Sequence, residues 1–496
     1  MPNSVDFSGK PFHFIGIGGI GMSALAYILA ERKLPVSGSD VRSSHITQRL
    51  QAVGAHIFNS QDASNLEFFR SKIDASDRAI AEIGRTTNTP LLVNSTSTKA
   101  LDIQALPQVI CSTAINSANL EYKAALDLGC AVFHRSDLLA ALIENYSSIA
   151  VAGTHGKTTT SSAIAYMLLQ AGLDPTIVVG GEVNAWEGNA RLGTSKYLVA
   201  EADESDGSLV KLSAEIGIIT NIELDHPDHY QSLEQVVETF QTFAQRCQTL
   251  IGCIDCATVR DRLKPKISYS LHPETNADYT VSDVEYRADG TTATIWERGK
   301  ALGKLDLRLL GEHNLSNAIA SVAVGRQINL DFATIAASLA NFEGARRRFE
   351  LRGEVNGIVF IDDYAHHPSE IRATLASARL QAQPGARVVA IFQPHRYSRT
   401  LTFLSEFAAA FDDADLVVIT DIYSAGEPNL GQVSSQQLVE QIRDRHSQVT
   451  YQPTLDAVAQ FLCQNLRPQD IALFLGAGNL NQIIPETIAA IRQNPD

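Results

Sequence analysis

The apolar positions of this chain open with a short strand, a glycine-rich turn and a helix. Residues 12–15 read Phe-His-Phe-Ile, the following turn holds four glycines, and a helical stretch runs from about Met22 to Lys33. A second short strand ends at residues 38–40. A strand, a helix and a strand within ~30 residues predict a βαβ unit of a parallel sheet.

A second unit begins with a short apolar strand at residues 148–151. It leads into a glycine-rich segment at 153–158 and a helix that Gly172 ends. Further along, residues 277–296 alternate between apolar and polar positions around the pair Asp289-Gly290. This alternation with a central Asp-Gly predicts a β-hairpin.

The last third of the chain again alternates strands with polar or glycine-containing turns. Buried strands are predicted at residues 359–361, 387–392, 415–420 and 471–475. This repeated order of strand and turn is typical of another parallel α/β unit.

The length of 496 residues exceeds one ordinary core, and ~150 residues per domain suggest about three domains. We predict an α/β fold with a Rossmann-like N-terminal domain over 1–147, a P-loop ATPase-like central domain over 148–345 and a Rossmann-like C-terminal domain over 346–496. Residues 59–108 are polar and weakly patterned, so no element is predicted there.

The charge balance excludes one class of partner. The formal net charge is -15 and there is no long basic run, whereas nucleic-acid phosphates require clustered Lys and Arg. Phosphorylated small molecules remain candidates, because glycine loops and single basic residues bind them. The six cysteines are scattered, and the CxxC pair Cys253 and Cys256 has no second pair nearby to complete a zinc site. We therefore expect reduced, structural thiols.

An apolar stretch at residues 11–30 has the length of a membrane span. Four glycines interrupt it, however, and the preceding segment carries Asp6 as well as Lys10, unlike the net-positive start of a signal peptide. We interpret the stretch as a buried strand, turn and helix, and we expect a cytoplasmic protein without membrane insertion.

The segment from Gly153 to Thr158 lies between a predicted strand and a predicted helix, as a phosphate-binding loop does. Its backbone amides and the helix N-terminus favour phosphate oxygens. Lys157 would reach the β and γ phosphates, and the Thr158 hydroxyl would take a Mg²⁺ ion. Val151 occupies the position of the usual first glycine, so the loop is a shortened variant. The alternative is a helix cap without a ligand.

Acidic residues follow two further predicted strands. Residues 201–206 come after the strand at 197–200, and the His- and Asp-rich residues 221–229 come after the strand at 216–220. One such cluster is usually a solvated loop, but two clusters at strand ends after a phosphate loop favour metal and phosphate chemistry.

The first glycine turn has the spacing of a dinucleotide-binding fingerprint, with Gly16, Gly18 and Gly21 after a strand and Asp40 nineteen residues beyond the last of them. Taken alone it indicates an NAD-dependent dehydrogenase. A tight strand-to-helix turn without a ligand is the alternative.

The motifs in all three predicted domains resemble those of the Mur ligases, a family of bacterial cell-wall enzymes. They occur in family order at residues 152–160, 201–206, 221–226, 313–317, 347–349, 362–368, 392–400 and 476–479. Within the family, residues 16–23 and the run at 362–368 resemble the branch that adds L-alanine.

The resemblance implies an ATP-dependent amide ligase of peptidoglycan precursor synthesis. Its implied substrates are UDP-N-acetylmuramate, L-alanine and ATP, and its implied cofactor is Mg²⁺, with Mn²⁺ as the alternative. The lactyl carboxylate would attack the ATP γ-phosphate, and the alanine amine would then attack the resulting acyl phosphate.

The resemblance also implies roles for individual residues. The implied ATP contacts are Gly153, Thr154, His155, Gly156, Lys157, Thr158, Thr159, Asn314, Asn317, Arg348 and Asp363. The implied catalytic residues are Lys157, Glu201, His226 and Arg348. The implied metal ligands are Thr158, Glu201 and His226. The implied contacts of the UDP substrate are Gly16, Gly18, Gly19, Gly21 and Asp40. The implied amino-acid contacts are Tyr364, His366, Arg396 and Arg399.

Three rival functions remain open from the sequence. A recycling ligase would attach a whole peptide to the same muramate. An NAD-dependent oxidoreductase would use the first glycine turn for its cofactor, and a nucleotide sensor would bind ATP without turnover. The sequence leaves the oligomeric state open.

Overall fold

The computed structural model describes residues 4–69 and 106–493, so most of the weakly patterned stretch 59–108 lies outside the described residues. The described strands form three sheets, one in each predicted α/β unit. The α/β fold of three domains is confirmed.

The first sheet has five parallel strands in the order β3-β2-β1-β4-β5. Its strands are β1 Phe12–Ile15, β2 Val36–Ser39, β3 His56–Phe58, β4 Gln108–Cys111 and β5 Val132–His134. Its helices are α1 Ile20–Glu31, α2 His45–Ala52, α3 Leu120–Asp127 and α4 Arg135–Ile143. The predicted βαβ unit is confirmed, and its helix begins two residues before Met22.

The central sheet has ten strands in the order β15-β14-β13-β12-β11-β10-β6-β9-β7-β8. Its strands are β6 Ser147–Ala152, β7 Thr176–Val183, β8 Gly188–Arg191, β9 Tyr197–Glu201, β10 Ile216–Ile219, β11 Thr249–Cys253, β12 Ile267–Tyr269, β13 Tyr279–Arg287, β14 Gly290–Glu297 and β15 Lys300–Leu307. Its helices are α5 Lys157–Gln170, α6 Leu233–Arg246, α7 Glu312–Gln327 and α8 Phe332–Leu339. The hairpin predicted at 277–296 is confirmed, and β15 extends it antiparallel to β14.

The third sheet has six strands in the order β16-β17-β21-β18-β19-β20, of which only β16 runs antiparallel within the described sheet. Its strands are β16 Glu350–Val355, β17 Ile358–Asp363, β18 Val388–Phe392, β19 Leu416–Ile419, β20 Val449–Tyr451 and β21 Ile471–Leu475. Its helices are α9 Pro368–Gln381, α10 Tyr397–Thr402, α11 Leu404–Ala408, α12 Ser435–Arg443, α13 Leu455–Asn465 and α14 Ile484–Gln493. All four predicted strands of this unit are confirmed.

The sheet order brings the candidate functional loops together. Strands β10, β6 and β9 are neighbours and run parallel, so their carboxyl ends lie at one edge of the central sheet. The phosphate loop and both acidic segments follow these three strands. Ligands of open α/β sheets bind at this edge.

The first two sheets share apolar packing. Helix α1 packs on β7 and β8, and buried side chains from residues 12–143 and 150–259 form one continuous apolar cluster. Within residues 4–69 and 106–493, no helix is both long and apolar enough to cross a membrane.

Candidate active site

The phosphate loop contains two glycines at which a larger residue would displace a neighbouring side chain. Gly156 has φ +81°, and a Cβ there would lie 2.6 Å from the Asn317 Oδ1 atom. A Cβ at Gly153 would overlap the Thr220 hydroxyl. Helix α5 begins directly after the loop, at Lys157. The strand, loop and helix of the predicted phosphate site are therefore present.

Lys157 directs its ammonium group into the loop and onto an acidic residue. It donates to the carbonyls of Gly153 at 2.7 Å and Thr154 at 3.1 Å, and to Glu204 Oε1 at 2.9 Å. Burial alone would lower the pKa of Lys157, but the carboxylates of Glu204 and Asp203 outweigh burial and raise it. The Lys157 side chain is therefore charged, which favours an interaction with phosphate oxygens.

Glu204 is a buried carboxyl that the sequence reasoning did not single out. It is 1% exposed, and within the described residues its buried Oε2 atom has no hydrogen-bond partner. Burial, with Asp203 adding to it and Lys157 opposing it, raises the pKa of Glu204 to about 7. Glu204 belongs to the acidic run 201–206 that the sequence analysis identified, but nothing in the sequence distinguished it from Glu201 as a candidate site residue.

The predicted ligands Thr158 and Glu201 meet neighbouring residues of β7. Glu201 accepts a hydrogen bond of 2.7 Å from the Gly180 amide. A Cβ at Gly181 would lie 2.9 Å from the Thr158 Cγ2 atom. Both side chains therefore contact adjacent glycines of β7.

The predicted histidine ligand lies on the other side of the acidic run. His226 Nε2 is 3.7 Å from Glu204 Oε1 and 3.6 Å from Asp225 Oδ2. Burial, opposed by Asp225, lowers the pKa of His226, so the imidazole is neutral and available to a cation. A buried carboxylate oxygen without a partner and an uncharged imidazole next to a phosphate loop suit a divalent cation.

Two buried asparagines at the start of α7 approach the loop. Asn317 Oδ1 accepts a hydrogen bond of 3.1 Å from Thr160, one residue after Thr159 in α5. Asn314 donates to the Leu310 carbonyl at 2.9 Å. Asn317 therefore adjoins the phosphate loop directly, whereas Asn314 lies one turn back along α7.

His155 connects the phosphate loop to the C-terminal domain. Its ring donates to Glu370 Oε1 at 3.2 Å and to Glu223 Oε2 at 3.4 Å. Burial alone would lower the pKa of His155, but these two carboxylates raise it to about 10. The His155 hydrogen bond in turn lowers the pKa of Glu223 to about 2.

Arg348 and Asp363 belong to the C-terminal domain, and Arg348 contacts the first turn of the helix that follows the phosphate loop. Arg348 donates to the Thr158 hydroxyl at 3.3 Å and lies over the Tyr364 ring, 5.0 Å from its centroid. Asp363 accepts the amide hydrogens of Phe349 and Ala365, both at 2.7 Å. Burial, opposed by Arg348, raises the pKa of Asp363 to about 6.

Three of the four predicted amino-acid contacts form one cluster. The Tyr364 and His366 rings lie 5.4 Å apart, and His366 also faces His395 at 5.8 Å. His395 Nδ1 accepts a hydrogen bond of 3.1 Å from Arg399. Arg399 is 2% exposed and donates to Asp225 of the central domain at 2.8 Å.

Arg396, which follows His395 in the chain, has different hydrogen-bond partners. Its half-exposed guanidinium donates to Asp228 of the central domain at 3.0 Å and to Glu427 at 3.3 Å. Both arginines of the predicted carboxylate site are thus paired with aspartates that follow β10.

The N-terminal glycine turn is hydrogen-bonded to Asp40, the acidic residue predicted to belong to the same site. The Gly18 amide donates to Asp40 Oδ2 at 2.9 Å, and Gly19 donates back to the Gly16 carbonyl at 3.3 Å. Gly16 has φ +79°, which favours glycine. Asp40 therefore stabilises the turn itself.

Arg135 is a candidate site residue that the sequence analysis did not identify. A Cβ at Gly21 would lie 3.5 Å from its Nη1 atom, and its guanidinium donates to Asp203 at 2.9 Å and Asp206 at 3.1 Å. Burial would lower the pKa of Arg135, but the two aspartates raise it. The residue links the first glycine turn to the acidic run, and a single arginine at a helix start carries no sequence signal of this.

The fold and the site together define an α/β enzyme of three domains, built around a phosphate loop that faces acidic strand ends. Three family profiles match the chain in succession. Their descriptions are Mur ligase family, catalytic domain, at residues 11–147; Mur ligase middle domain, at 151–325; and Mur ligase, glutamate ligase domain, at 347–478.

Curated relatives match over nearly the whole chain. The UDP-N-acetylmuramate–L-alanine ligase of Nostoc punctiforme is 72% identical over 491 residues, covering 99% of this chain and 98% of the relative. The ligase of the same name from Trichormus variabilis is 68% identical, with coverage of 99% and 98%. The chain belongs to the Mur ligase family and is a ligase.

Solved structures agree in fold. The crystal structure of the UDP-N-acetylmuramate-alanine ligase from Thermotoga maritima has a TM-score of 0.78 at 24% identity and covers 98% of this chain and 100% of that one. The murein peptide ligase from Psychrobacter arcticus has a TM-score of 0.68 at 22% identity, with coverage of 98% and 99%. At these identities the likeness concerns the fold alone.

Proposed function

We propose that this chain joins L-alanine to the lactyl carboxylate of UDP-N-acetylmuramate at the expense of ATP, as a step of peptidoglycan precursor synthesis. The observation that carries the proposal is the 72% identity, over 99% of the chain, to a ligase of that name. The site supports it, because the groups that phosphoryl transfer requires surround Lys157.

In the first step a lactyl carboxylate oxygen attacks the γ-phosphorus of ATP, and the bond to the β,γ-bridging oxygen breaks to release ADP. Lys157 and Arg348 would neutralise the charge that develops on the transferring phosphoryl group. A bound Mg²⁺, or Mn²⁺, would shield the phosphate charges, held by Thr158 and Glu201 with His226 beside a second cation. Glu204, whose Oε2 atom lacks a described partner, is a further candidate for this role.

In the second step the unprotonated alanine amine attacks the acyl carbon, the carbon–oxygen bond to phosphate breaks, and the nitrogen gives one of its two protons to the released phosphate or to water and keeps the other as the amide N–H. Direct condensation would have to expel an oxide from a carboxylate. Activation as an acyl phosphate divides one difficult step into two easier ones. Water must be kept from this intermediate, and closure of the domain interface around the loop would do so.

The division of labour follows the three domains. Residues 1–147 would bind the UDP substrate, with Gly16, Gly18, Gly19 and Gly21 facing the diphosphate and Asp40 fixing their turn. Residues 148–345 would bind ATP, and residues 346–496 the amino acid. The remaining proposed ATP contacts are Gly153, Thr154, His155, Gly156, Thr159, Asn314, Asn317 and Asp363.

The amino-acid site would use the basic turn after β18. Arg396 is half-exposed and would exchange Asp228 for the alanine carboxylate. Arg399 would retain its ion pair with Asp225 and hold the site in place without exchanging partners. Tyr364 and His366 would lie near the alanine amine.

The experiment is phosphate release from ATP by the full chain with UDP-N-acetylmuramate and each amino acid in turn. L-alanine should be the best substrate. Selection against glycine rests on one methyl group, worth roughly 1–3 kcal/mol or about 10–200-fold, so glycine should remain a measurable substrate. Faster release with a free cell-wall peptide than with alanine, or tight NADH binding without release, would overturn the proposal.

A further inference from the structure

Three potential metal ligands meet where the phosphate loop faces the C-terminal domain. They are His155 of the loop, Glu223 after β10 and His367 before α9. One ligand atom of each lies within 4.8 Å of the other two, and among residues 4–69 and 106–493 this is the one trio of His, Cys, Asp or Glu with that property. His155 Nε2 is 3.4 Å and His367 Nδ1 is 3.8 Å from the same Glu223 oxygen.

A second observation points to a ligand at this place. His367 is 4% exposed, and its buried Nε2 atom has no hydrogen-bond partner within the described part of the chain. The His155 and His367 ring centroids lie 4.7 Å apart. A buried polar atom without a partner is unfavourable, and a bound ion can supply the contact that such an atom lacks.

We propose that His155, Glu223 and His367 form a site for a divalent transition-metal cation of the Zn²⁺ type, which joins the phosphate loop to the C-terminal domain. Two imidazoles and one carboxylate are a frequent zinc ligand set. Around a tetrahedral ion with bonds of about 2.0–2.2 Å, ligand atoms lie about 3.4 Å apart. The His155–Glu223 separation already has this value, whereas His367 is 3.8 Å from Glu223 and within 4.8 Å of His155, so it would have to move closer to both. The ion would take the place of the His155 proton that Glu223 accepts in its absence.

The surroundings can complete the coordination. The Glu223 side chain is 43% exposed, so water can supply a fourth ligand and the ion has a route of entry. Glu370 adds a second negative charge 3.2 Å from His155, and the two carboxylates balance a divalent cation. Imidazole ligands favour Zn²⁺ over Mg²⁺, which distinguishes this site from the magnesium site proposed at Thr158 and Glu201.

The site competes with hydrogen bonds that already join these residues. Ser369 donates its hydroxyl to Glu223 at 2.8 Å and its amide to His367 Nδ1 at 3.3 Å. The Nδ1 atom of His367 that lies 3.8 Å from Glu223 is also the atom that accepts the Ser369 amide, so an ion held by Nδ1 would replace this helix cap, whereas an ion held by Nε2 would leave the cap in place.

The test is equilibrium dialysis of the full chain against ZnCl₂ with excess Mg²⁺ and without substrates, with bound zinc counted per chain. His367→Asn keeps an acceptor for the Ser369 amide, and Glu223→Gln keeps one for the Ser369 hydroxyl. The matched control is His272→Asn, because that imidazole is 55% exposed.

We expect the parent and His272→Asn to bind one equivalent of zinc more than either site variant. Zinc should also raise the thermal midpoint of the parent more than that of the variants, since a ligand of the folded state stabilises it. Equal zinc content in all four proteins would overturn the proposal. Because no substrate is present, this result is independent of the ligase reaction.

Discussion

At the scale of single residues, Lys157 has exchangeable partners. Its three N–H groups are directed to two loop carbonyls and Glu204, so a γ-phosphate would have to take over part of this set. Glu204 would then lose its cationic partner, and a divalent cation brought with ATP would replace it.

Lys157→Ala should lower kcat by about 10²–10³-fold, because the ammonium acts on charge that develops in the transition state. Binding of UDP-N-acetylmuramate should survive, since it is assigned to another domain. The measurements are kcat by phosphate release and UDP-substrate affinity by calorimetry. The control is Lys304→Ala, whose side chain is 66% exposed on β15. A kcat near that of the control would contradict the assignment of the loop.

The two arginines after β18 should respond differently to substitution. Arg396→Lys loses the two-point fit to a carboxylate, so KM for alanine should rise about 10-fold, at an unchanged thermal midpoint. Arg399→Lys disturbs a fully buried ion pair with Asp225 and should lower the thermal midpoint as well. If KM for UDP-N-acetylmuramate rises in Arg396→Lys while that for alanine is unchanged, this turn binds the other substrate.

Candidate site residues could be predicted from the sequence where a residue with a suitable side chain follows directly after a predicted strand. Lys157, Thr158 and Glu201 are of this kind, and the structure brings them to the predicted edge. Glu204 could not be separated from its acidic neighbours, because only burial against Lys157 distinguishes it.

At the scale of elements, helix α5 has glycines with positive φ both before its first residue and after its last. Gly156 has φ +81° and faces Asn317, whereas Gly172 has φ +75° and nothing within 4 Å of an added Cβ. Alanine at either position strains the backbone, but only alanine at Gly156 also crowds a neighbouring side chain. Comparing the two variants therefore separates the effect of crowding at the phosphate loop from the effect of backbone strain.

Gly156→Ala should abolish most ATP-dependent activity, because the new methyl group displaces Asn317 or the loop. Gly172→Ala should keep the activity and lose about 1 kcal/mol of unfolding free energy, the cost of a left-handed alanine. Chemical unfolding and phosphate release measure the two effects. Comparable activity in both variants would show that the Gly156 contact is unimportant.

The elements themselves were largely predictable. Residues 149–151, 359–361 and 471–475 are continuous apolar runs, and the structure has β6, β17 and β21 there. Strand β15 was missed because its half-exposed positions give only a weak alternation. The unpatterned residues 70–105 lie outside the described residues.

At the scale of the whole molecule, ion pairs cross both domain interfaces. Arg135 pairs with Asp203 between the first and second domains, and His155 with Glu370 and Arg399 with Asp225 between the second and third. The partners are far apart in sequence, so no local pattern could have predicted them.

The His155 contacts should make stability depend on pH. The pKa of His155 is raised from 6.5 to about 10, so its contribution is complete below about pH 6.5 and is lost as pH rises through 10. The pKa of Glu223 is lowered from 4.5 to about 2, so its contribution is complete above 4.5 and is lost as pH falls towards 2.

The thermal midpoint of His155→Gln should therefore fall furthest below that of the parent between about pH 4.5 and 6.5, and the difference should shrink towards pH 10. The groups that face His155 are Glu223, Glu370 and His367. Scanning calorimetry of the metal-free protein, with a chelator present, measures the difference across this range, and the exposed His272→Gln is the control. A difference that grows with pH would contradict the ion pairs.

The proposed mechanism rests on transfer of the γ-phosphoryl group to the substrate carboxylate, and oxygen labelling tests that transfer directly. UDP-N-acetylmuramate labelled with ¹⁸O in both carboxylate oxygens is converted with ATP and L-alanine, and the released phosphate is analysed by mass. The mechanism predicts one ¹⁸O atom in each phosphate and one in the new amide carbonyl. Phosphate free of ¹⁸O, with amide formed in equal amount, would show that the carboxylate is never phosphorylated.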